Sequence, residues 1–157
     1  MELQQIQRTC GNCDVCCNIL EVRELNKQSF CNCEFRAEHG GCGRYETRPN
    51  ICRDWSCAYM LDLIPGGEEL KPNNLGLMFY PVDGKNNDLG LSMLMGQEVW
   101  PDALYDSNVQ KVLNYLSKRI LTLVRHYKKE EFTYVGPPDK VKEFERRHKE
   151  YMEKQTS

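Results

Sequence analysis

Nine cysteines crowd into one part of this 157-residue chain and leave the rest without any. The whole set lies between positions 10 and 57, and residues 58 to 157 contain none. The set consists of Cys10, Cys13, Cys16, Cys17, Cys31, Cys33, Cys42, Cys52 and Cys57. Thiols at this density are joined in disulfides, bound to metal or buried as small apolar groups, and each of these uses restricts the fold differently.

The start of the chain and the odd number of cysteines argue against a disulfide framework. Met1 to Gln5 has neither the basic start nor the apolar run of a secretory signal, and nine thiols cannot all pair. No apolar stretch of about 18 to 20 residues is present, because Arg119 and Arg125 flank the run Ile120 to Val124. We therefore expect a cytoplasmic protein without a membrane segment, whose reduced thiols coordinate metal.

Three cysteines form a repeat with two-residue spacing, Cys10-x2-Cys13-x2-Cys16, and Cys17 follows directly. A C-x2-C loop brings two thiolates to one ion because the turn between them folds back. The triple repeat is similar to the run that wraps an iron–sulfur cluster in bacterial ferredoxins, although Cys17 departs from it. Adjacent side chains of an extended chain point to opposite faces, so Cys16 and Cys17 serve two metals or one of them packs as a small apolar residue.

The later cysteines are spread over a longer segment that contains a glycine-rich turn and a proline. His39-Gly40-Gly41 forms the turn before Cys42, and Pro49 suits the first turn of a helix, which we predict over residues 50–63. Cys52 and Cys57 would then lie near opposite ends of one to two helical turns and could flank a site. His39 is a weaker candidate ligand than the cysteines, because thiolates are so plentiful.

The pattern resembles the bacterial and archaeal CxxCxxCC domain family, which is described as chelating zinc or iron. The resemblance covers about residues 10 to 60 and rests on the Cys10 to Cys17 run, on Cys33 and on the sequence from Cys42 through Tyr45-x2-Arg48-Pro49-x2-Cys52 to Cys57. Cys31 has no counterpart in the family pattern. A related cysteine-rich element occurs in flagellin lysine N-methylases, which are much longer enzymes. The resemblance implies eight metal ligands, namely Cys10, Cys13, Cys16, Cys17, Cys33, Cys42, Cys52 and Cys57.

Spacing leaves the bound group open between zinc and an iron–sulfur cluster. Eight thiolates could build two tetrahedral zinc sites or one zinc site that shares bridging thiolates, whereas an iron–sulfur cluster would use four of them. Four thiolates around one zinc ion carry a net negative charge, and burying that charge requires nearby N–H donors or cations. Arg48, Arg53, Arg44 and Arg36 lie among the cysteines and could supply them. We expect this role first of Arg48 and Arg53, and we expect Tyr45 to pack around the bound group.

The remainder of the chain predicts the second half of an α+β fold. We predict that residues 1–64 form a cysteine-rich metal-binding module and that residues 65–157 complete a single domain with it. Apolar runs at Leu75 to Val82 and Leu89 to Met95 flank a polar loop and predict a short antiparallel hairpin. Pro81 cannot donate a hydrogen bond, so the first of these strands belongs at the edge of a sheet.

Two helices are predicted towards the C-terminus. Apolar side chains recur at threes and fours from Ser107 to Val124, which predicts an amphipathic helix with Ser107 as its cap. Phe132 to Val135 predicts a short strand, and a charged helix follows from Gly136 to about Lys154. This last helix offers a surface for a protein partner, although its interleaved charges also suit a solvated face.

Composition and motifs exclude several classes of function. The chain has 21 basic and 23 acidic side chains, a net charge of -2, so it has no strong attraction for nucleic acid or an anionic membrane. It contains no phosphate-binding loop, zinc-protease HExxH element, nucleophile elbow or dinucleotide fingerprint. We therefore predict a protein that chelates zinc or an iron–sulfur cluster, and the sequence assigns it no biochemical activity. The alternative is a component of an iron–sulfur redox or methylase-like group-transfer enzyme.

Overall fold

The computed structural model of the protein describes residues 8–156. The first residues of the chain, on which the expectation about an export signal rests, lie outside this range. Among the described residues, no helix has the length and hydrophobicity needed to cross a lipid bilayer. The helices are α1 (Val15–Ile19), α2 (Asn50–Asp54), α3 (Pro72–Leu75), α4 (Ser107–Ser117) and α5 (Pro138–Gln155), and the strands are β1 (Leu77–Val82), β2 (Met93–Glu98), β3 (Thr122–Arg125) and β4 (Phe132–Val135).

The strands form one four-stranded mixed sheet in the order β1-β2-β3-β4, which confirms an α+β fold. The predicted antiparallel hairpin is formed by β1 and β2, in which Leu77 lies opposite Glu98 and Val82 opposite Met93. Its predicted bounds are wrong, because Leu75 ends α3 and the second strand begins at Met93, not at Leu89, and runs to Glu98. Pro81 lies in the edge strand, as its missing N–H group requires. β3 runs parallel to β2, and α4 lies in the connection between them.

The predicted helix over 107–124 is wrong in its last third. α4 ends at Ser117, and the chain turns into β3 at Thr122. Leu121 and Leu123 are buried in one cluster with Phe144 of α5, whereas Val124 is buried in the main core on the other face. A strand buried on both faces has a continuous apolar sequence, which imitates the spacing of a helix.

The helix predicted over 50–63 is also too long. α2 ends at Asp54, and Trp55 is already extended, with φ −98° and ψ 136°. Trp55 packs on Tyr80 with ring centroids 5.8 Å apart, and the Ala58 N–H donates to the Phe79 carbonyl at 2.7 Å. These contacts with β1 stabilise an irregular backbone over the local preference for a helix.

The main hydrophobic core joins the cysteine-rich segment to the sheet. Val15 and Ile19 of α1 pack in the same cluster as Cys57, as β1 and as the apolar face of α4. α1 thereby places the Cys16 and Cys17 region against the rest of the protein. The second cluster lies under α5, where Phe144 packs with Met93, Leu121 and Leu123.

A buried carboxylate connects three parts of this fold. Glu98, at the end of β2, is 2% exposed. Its Oε2 accepts the N–H of Leu104 and its Oε1 accepts the N–H of Tyr127, both at 2.9 Å. The side chain therefore fixes the start of the connection to α4 and the turn between β3 and β4.

We predict that Glu98→Gln destabilises the protein by about 1–3 kcal/mol. The amide oxygen of glutamine can accept a hydrogen bond from only one of the two N–H groups, of Leu104 or of Tyr127, and its NH2 group then faces the other N–H group, which is left without an acceptor. Urea unfolding followed by circular dichroism measures the change. The control is Glu130→Gln, an exposed position in the β3–β4 turn. Equal unfolding midpoints for the two variants would contradict this role of Glu98.

Candidate metal centre

One cavity of about 670 Å³ gathers most of the cysteines that the sequence singles out. Leu20, Trp55 and Met60 provide apolar parts of its wall, and Arg48 provides a cationic part. Cys57 is buried beside it in the main core. The cysteines that line the cavity are Cys10, Cys13, Cys16, Cys17, Cys33, Cys42 and Cys52.

The first C-x2-C loop is closed and anchored by backbone groups. The Cys13 N–H donates to the Cys10 carbonyl at 2.8 Å, and Gly11 adopts a positive φ of 54° in the turn between them. Arg8 donates to the Tyr59 carbonyl at 2.7 Å and stacks on the Tyr59 ring. This anchor holds the loop beside the segment that contains Cys57.

Cys16 and Cys17 belong to α1, so the expectation of an extended chain at this pair is wrong. Consecutive residues of a helix project about 100° apart, because one turn takes 3.6 residues. The Cys16 thiol donates a hydrogen bond to Cys17, which lowers the pKa of Cys17 to about 7 and raises the pKa of Cys16. The pair therefore points in two directions while remaining in contact.

A compact loop presents Cys33 and Cys42. The Cys33 N–H donates to the Cys17 carbonyl at 2.9 Å, and a β-bridge pairs Arg36 with Cys42. The loop lies directly on the first one, because a Cβ atom at Gly40 would come within 2.6 Å of the Asn12 carbonyl oxygen. Gly40, with φ 96°, thus permits a backbone contact that a larger residue would block.

Cys52 and Arg53 occupy the short helix α2. Arg53 donates to the carbonyls of Arg48 and Glu46, both at 3.1 Å, and does not line the cavity. Its guanidinium thus stabilises the turn before α2. Of the two arginines that the sequence suggested, Arg48 is the one beside the cysteines.

Arg48 carries an unsatisfied donor. Its guanidinium stacks on the Tyr45 ring at 3.9 Å from the centroid, and its buried Nε has no hydrogen-bond partner. Its charge lowers the pKa of both Cys10 and Cys52, against the larger effect of burial. A thiolate in this cavity would give the orphaned N–H an acceptor.

Two buried lysines adjoin the cysteines. Neither was predicted from the sequence, because only arginines were considered as the cations beside the thiolates. Lys27 is 8% exposed, and its ammonium donates to the carbonyls of Asn18, Leu20 and Gln28. Burial lowers its pKa, and cysteines led by Cys33 raise it. Lys27 could have been suspected from the sequence, because it lies between Cys17 and Cys31.

Lys71 is 6% exposed and lies against the first loop. Its Nζ would be 3.1 Å from a Cβ atom at Gly11, and its charge lowers the pKa of the neighbouring Cys10. Its carboxylate partner Glu68, 3.4 Å away, is largely in solvent. No sequence signal connects Lys71 with the cysteines, because the contact is made by folding.

Cys31 and His39 lie apart from the main cavity. Cys31 is exposed and lines a second cavity of about 400 Å³ beside Lys27. His39 is exposed in the turn before Gly40 and does not line the main cavity. His39 thus lies away from the cavity thiols, whereas Cys31 shares the second cavity with Cys33, which lines both cavities.

The thiols of the cavity are arranged loosely. Within residues 8–156, no three cysteine, histidine, aspartate or glutamate side chains converge closely enough to hold a metal ion in this conformation. Burial raises the pKa of Cys10, Cys52 and Cys57, and cysteines nearby raise it further. Binding an ion would therefore release protons and rotate the thiols about χ1 into convergent positions.

Comparison with protein-family models, with curated proteins and with solved structures finds no match to this chain.

The Cys16–Cys17 contact predicts a shift in reactivity. In reduced, metal-free protein, Cys17 is expected to react with iodoacetamide with a midpoint near pH 7, because its thiolate accepts the Cys16 hydrogen bond. Cys16→Ala removes the donor and should move this midpoint to higher pH, whereas Cys16→Ser keeps a hydroxyl donor and should move it less. Peptide mass spectrometry measures the alkylation of Cys17. If Cys17 keeps the midpoint of the unmodified protein in both variants, this hydrogen bond does not set its reactivity.

Proposed function

We propose that this protein chelates zinc or an iron–sulfur cluster through the thiolates of its clustered cysteines. The observation that carries the proposal is the shared cavity, which is lined by seven cysteines and by Arg48, whose buried Nε has no hydrogen-bond partner. Thiolates are the ligands that zinc and iron–sulfur clusters share, so the donor set fits both groups. We also propose that the chain belongs to the CxxCxxCC family and acts in the reducing cytoplasm.

The charges around the cavity support metal-bound thiolates. A metal ion or cluster held by four thiolates keeps a negative charge, which buried cations stabilise. Lys27 and Lys71 are buried cations beside the cysteines, and neither has a buried carboxylate partner among the described residues. Neutral thiols would leave these two ammonium groups poorly compensated.

Metal would also contribute to folding. In the described part of the cysteine-rich segment, residues 8–57, the buried hydrophobic side chains are Val15, Ile19, Val22 and Cys57. Structural zinc contributes about 10–16 kcal/mol in zinc-finger peptides, whereas a whole domain is stable by about 5–15 kcal/mol. Metal ligation would therefore dominate the stability of this segment.

Metal content tests the proposal directly. Protein purified without oxygen is expected to contain zinc, or iron with matching sulfide, at a fixed ratio to chain. A visible absorption band that bleaches with dithionite would identify a reducible cluster, and colourless zinc protein would identify a structural site. Protein that contains neither zinc nor iron, and takes up neither on anaerobic reconstitution, would refute the proposal.

Metal removal should loosen one part of the chain more than the other. Treatment with a chelator under reducing conditions is expected to lower the Tm and to open protease sites between residues 8 and 57, because few apolar contacts hold this segment. Limited proteolysis with mass mapping measures the effect, with α4 and the strands as the internal control. Unchanged Tm and unchanged cleavage would contradict a structural role of the metal.

A further inference from the structure

We infer that the eight cysteines form two separate four-thiolate sites, which divide between the neighbouring residues Cys16 and Cys17. The core set consists of Cys10, Cys13, Cys16 and Cys57, and the loop set consists of Cys17, Cys33, Cys42 and Cys52. The inference rests on the proposed function, since it assigns ligands within the same centre.

Packing against the main core distinguishes the first set. Cys57 is a buried member of that core, and Cys13 and Cys16 pack against it. Cys10 joins them because the Arg8 anchor to the Tyr59 carbonyl holds its loop beside residue 57. None of the loop set belongs to this cluster or packs on it.

Backbone contacts collect the second set. The hydrogen bond from the Cys33 N–H to the Cys17 carbonyl places these two residues side by side. The bridge between Arg36 and Cys42, with the hydrogen bond from the Arg36 N–H to the Cys33 carbonyl at 3.1 Å, folds Cys42 back towards Cys33. Cys52 on α2 faces the same cavity.

Apart from the hydrogen bond between Cys16 and Cys17, which joins the two sets, the electrostatic neighbours of the thiols divide in the same way. After burial, the thiols that raise the pKa of Cys10 are Cys57 and Cys13, both of the core set. After burial, the thiols that raise the pKa of Cys52 are the other three members of the loop set. The helix accounts for the division, because consecutive positions of α1 project about 100° apart and so direct Cys16 and Cys17 towards different neighbours.

Cations are distributed to match two anionic sites. Lys71 lies beside Cys10 of the core set. Lys27 lies beside the loop set, where the charge of Arg36, paired with Asp14, also lowers the pKa of Cys17. Arg48 acts on a cysteine of each set. With a single site, one of the two buried lysines would have no metal-bound thiolates beside it.

Pairs of serine substitutions separate two sites from one. The full chain is reduced, reconstituted with zinc alone, exposed to a competing chelator and weighed by native mass spectrometry. We expect two zinc ions in the unmodified chain and in the control Cys31→Ser. We expect one in Cys10→Ser/Cys13→Ser, which damages only the core set, and none in Cys13→Ser/Cys42→Ser, which damages both sets.

The two double variants each remove two thiols. A difference in the number of zinc ions they bind therefore reports how the cysteines divide between the sites, and not how many ligands remain. Cys33→Ser/Cys42→Ser, which damages only the loop set, should also keep one ion and decides the question if the first double variant fails to fold by circular dichroism. The inference would be overturned, and metal binding left intact, by a single zinc ion in the unmodified chain. Equal loss of zinc ions in Cys10→Ser/Cys13→Ser and in Cys13→Ser/Cys42→Ser would have the same meaning. No zinc ion in the unmodified chain would also overturn the inference, whereas the proposed function fails only if the chain takes up neither zinc nor iron on anaerobic reconstitution.

Discussion

A shortage of buried apolar surface governs the N-terminal third of this protein. Residues 8–57 contribute Val15, Ile19, Val22 and Cys57 to the buried hydrophobic groups, whereas the sheet and α4 bury most of their apolar side chains. A segment with so small a core is stabilised by turns, by local hydrogen bonds and by cross-links between its side chains. Under the proposed function, metal-bound cysteines would supply that joining chemistry. Their loops are arranged around a cavity instead of around a core.

Electrostatics explains why this cavity is built from cations as well as thiols. Burying an ammonium group is unfavourable unless it is hydrogen-bonded and near an anion. The Lys27 ammonium has three carbonyl acceptors, and the thiols of the loop set lie close enough to raise its pKa. Arg48, whose buried Nε has no hydrogen-bond partner and whose charge lowers the pKa of Cys10 and Cys52, has the same need for an anionic partner. The cations therefore favour the deprotonated, ligand-bearing form of the cysteines.

The sequence was informative where chemistry is local and misleading where tertiary contacts decide. Spacing and residue type singled out the cysteines and Arg48, and seven of the eight cysteines line one cavity. Lys71 could not be found, because only folding brings it over Gly11. The helix predicted to Val124 was wrong since β3 is apolar on both faces, and the helix predicted to residue 63 was wrong since Trp55 packs on β1 instead.

The vicinal pair in α1 has a consequence for how two sites would fill. Cys16 and Cys17 share a peptide unit, so an ion that fixes one of them also fixes the backbone that presents the other. The conformational entropy of fixing the cysteine loops on either side of α1 is then lost on the first binding event, and the second ion meets loops that are already fixed. If both sets bind metal, loading should be cooperative, and singly loaded chains should be scarce at half saturation.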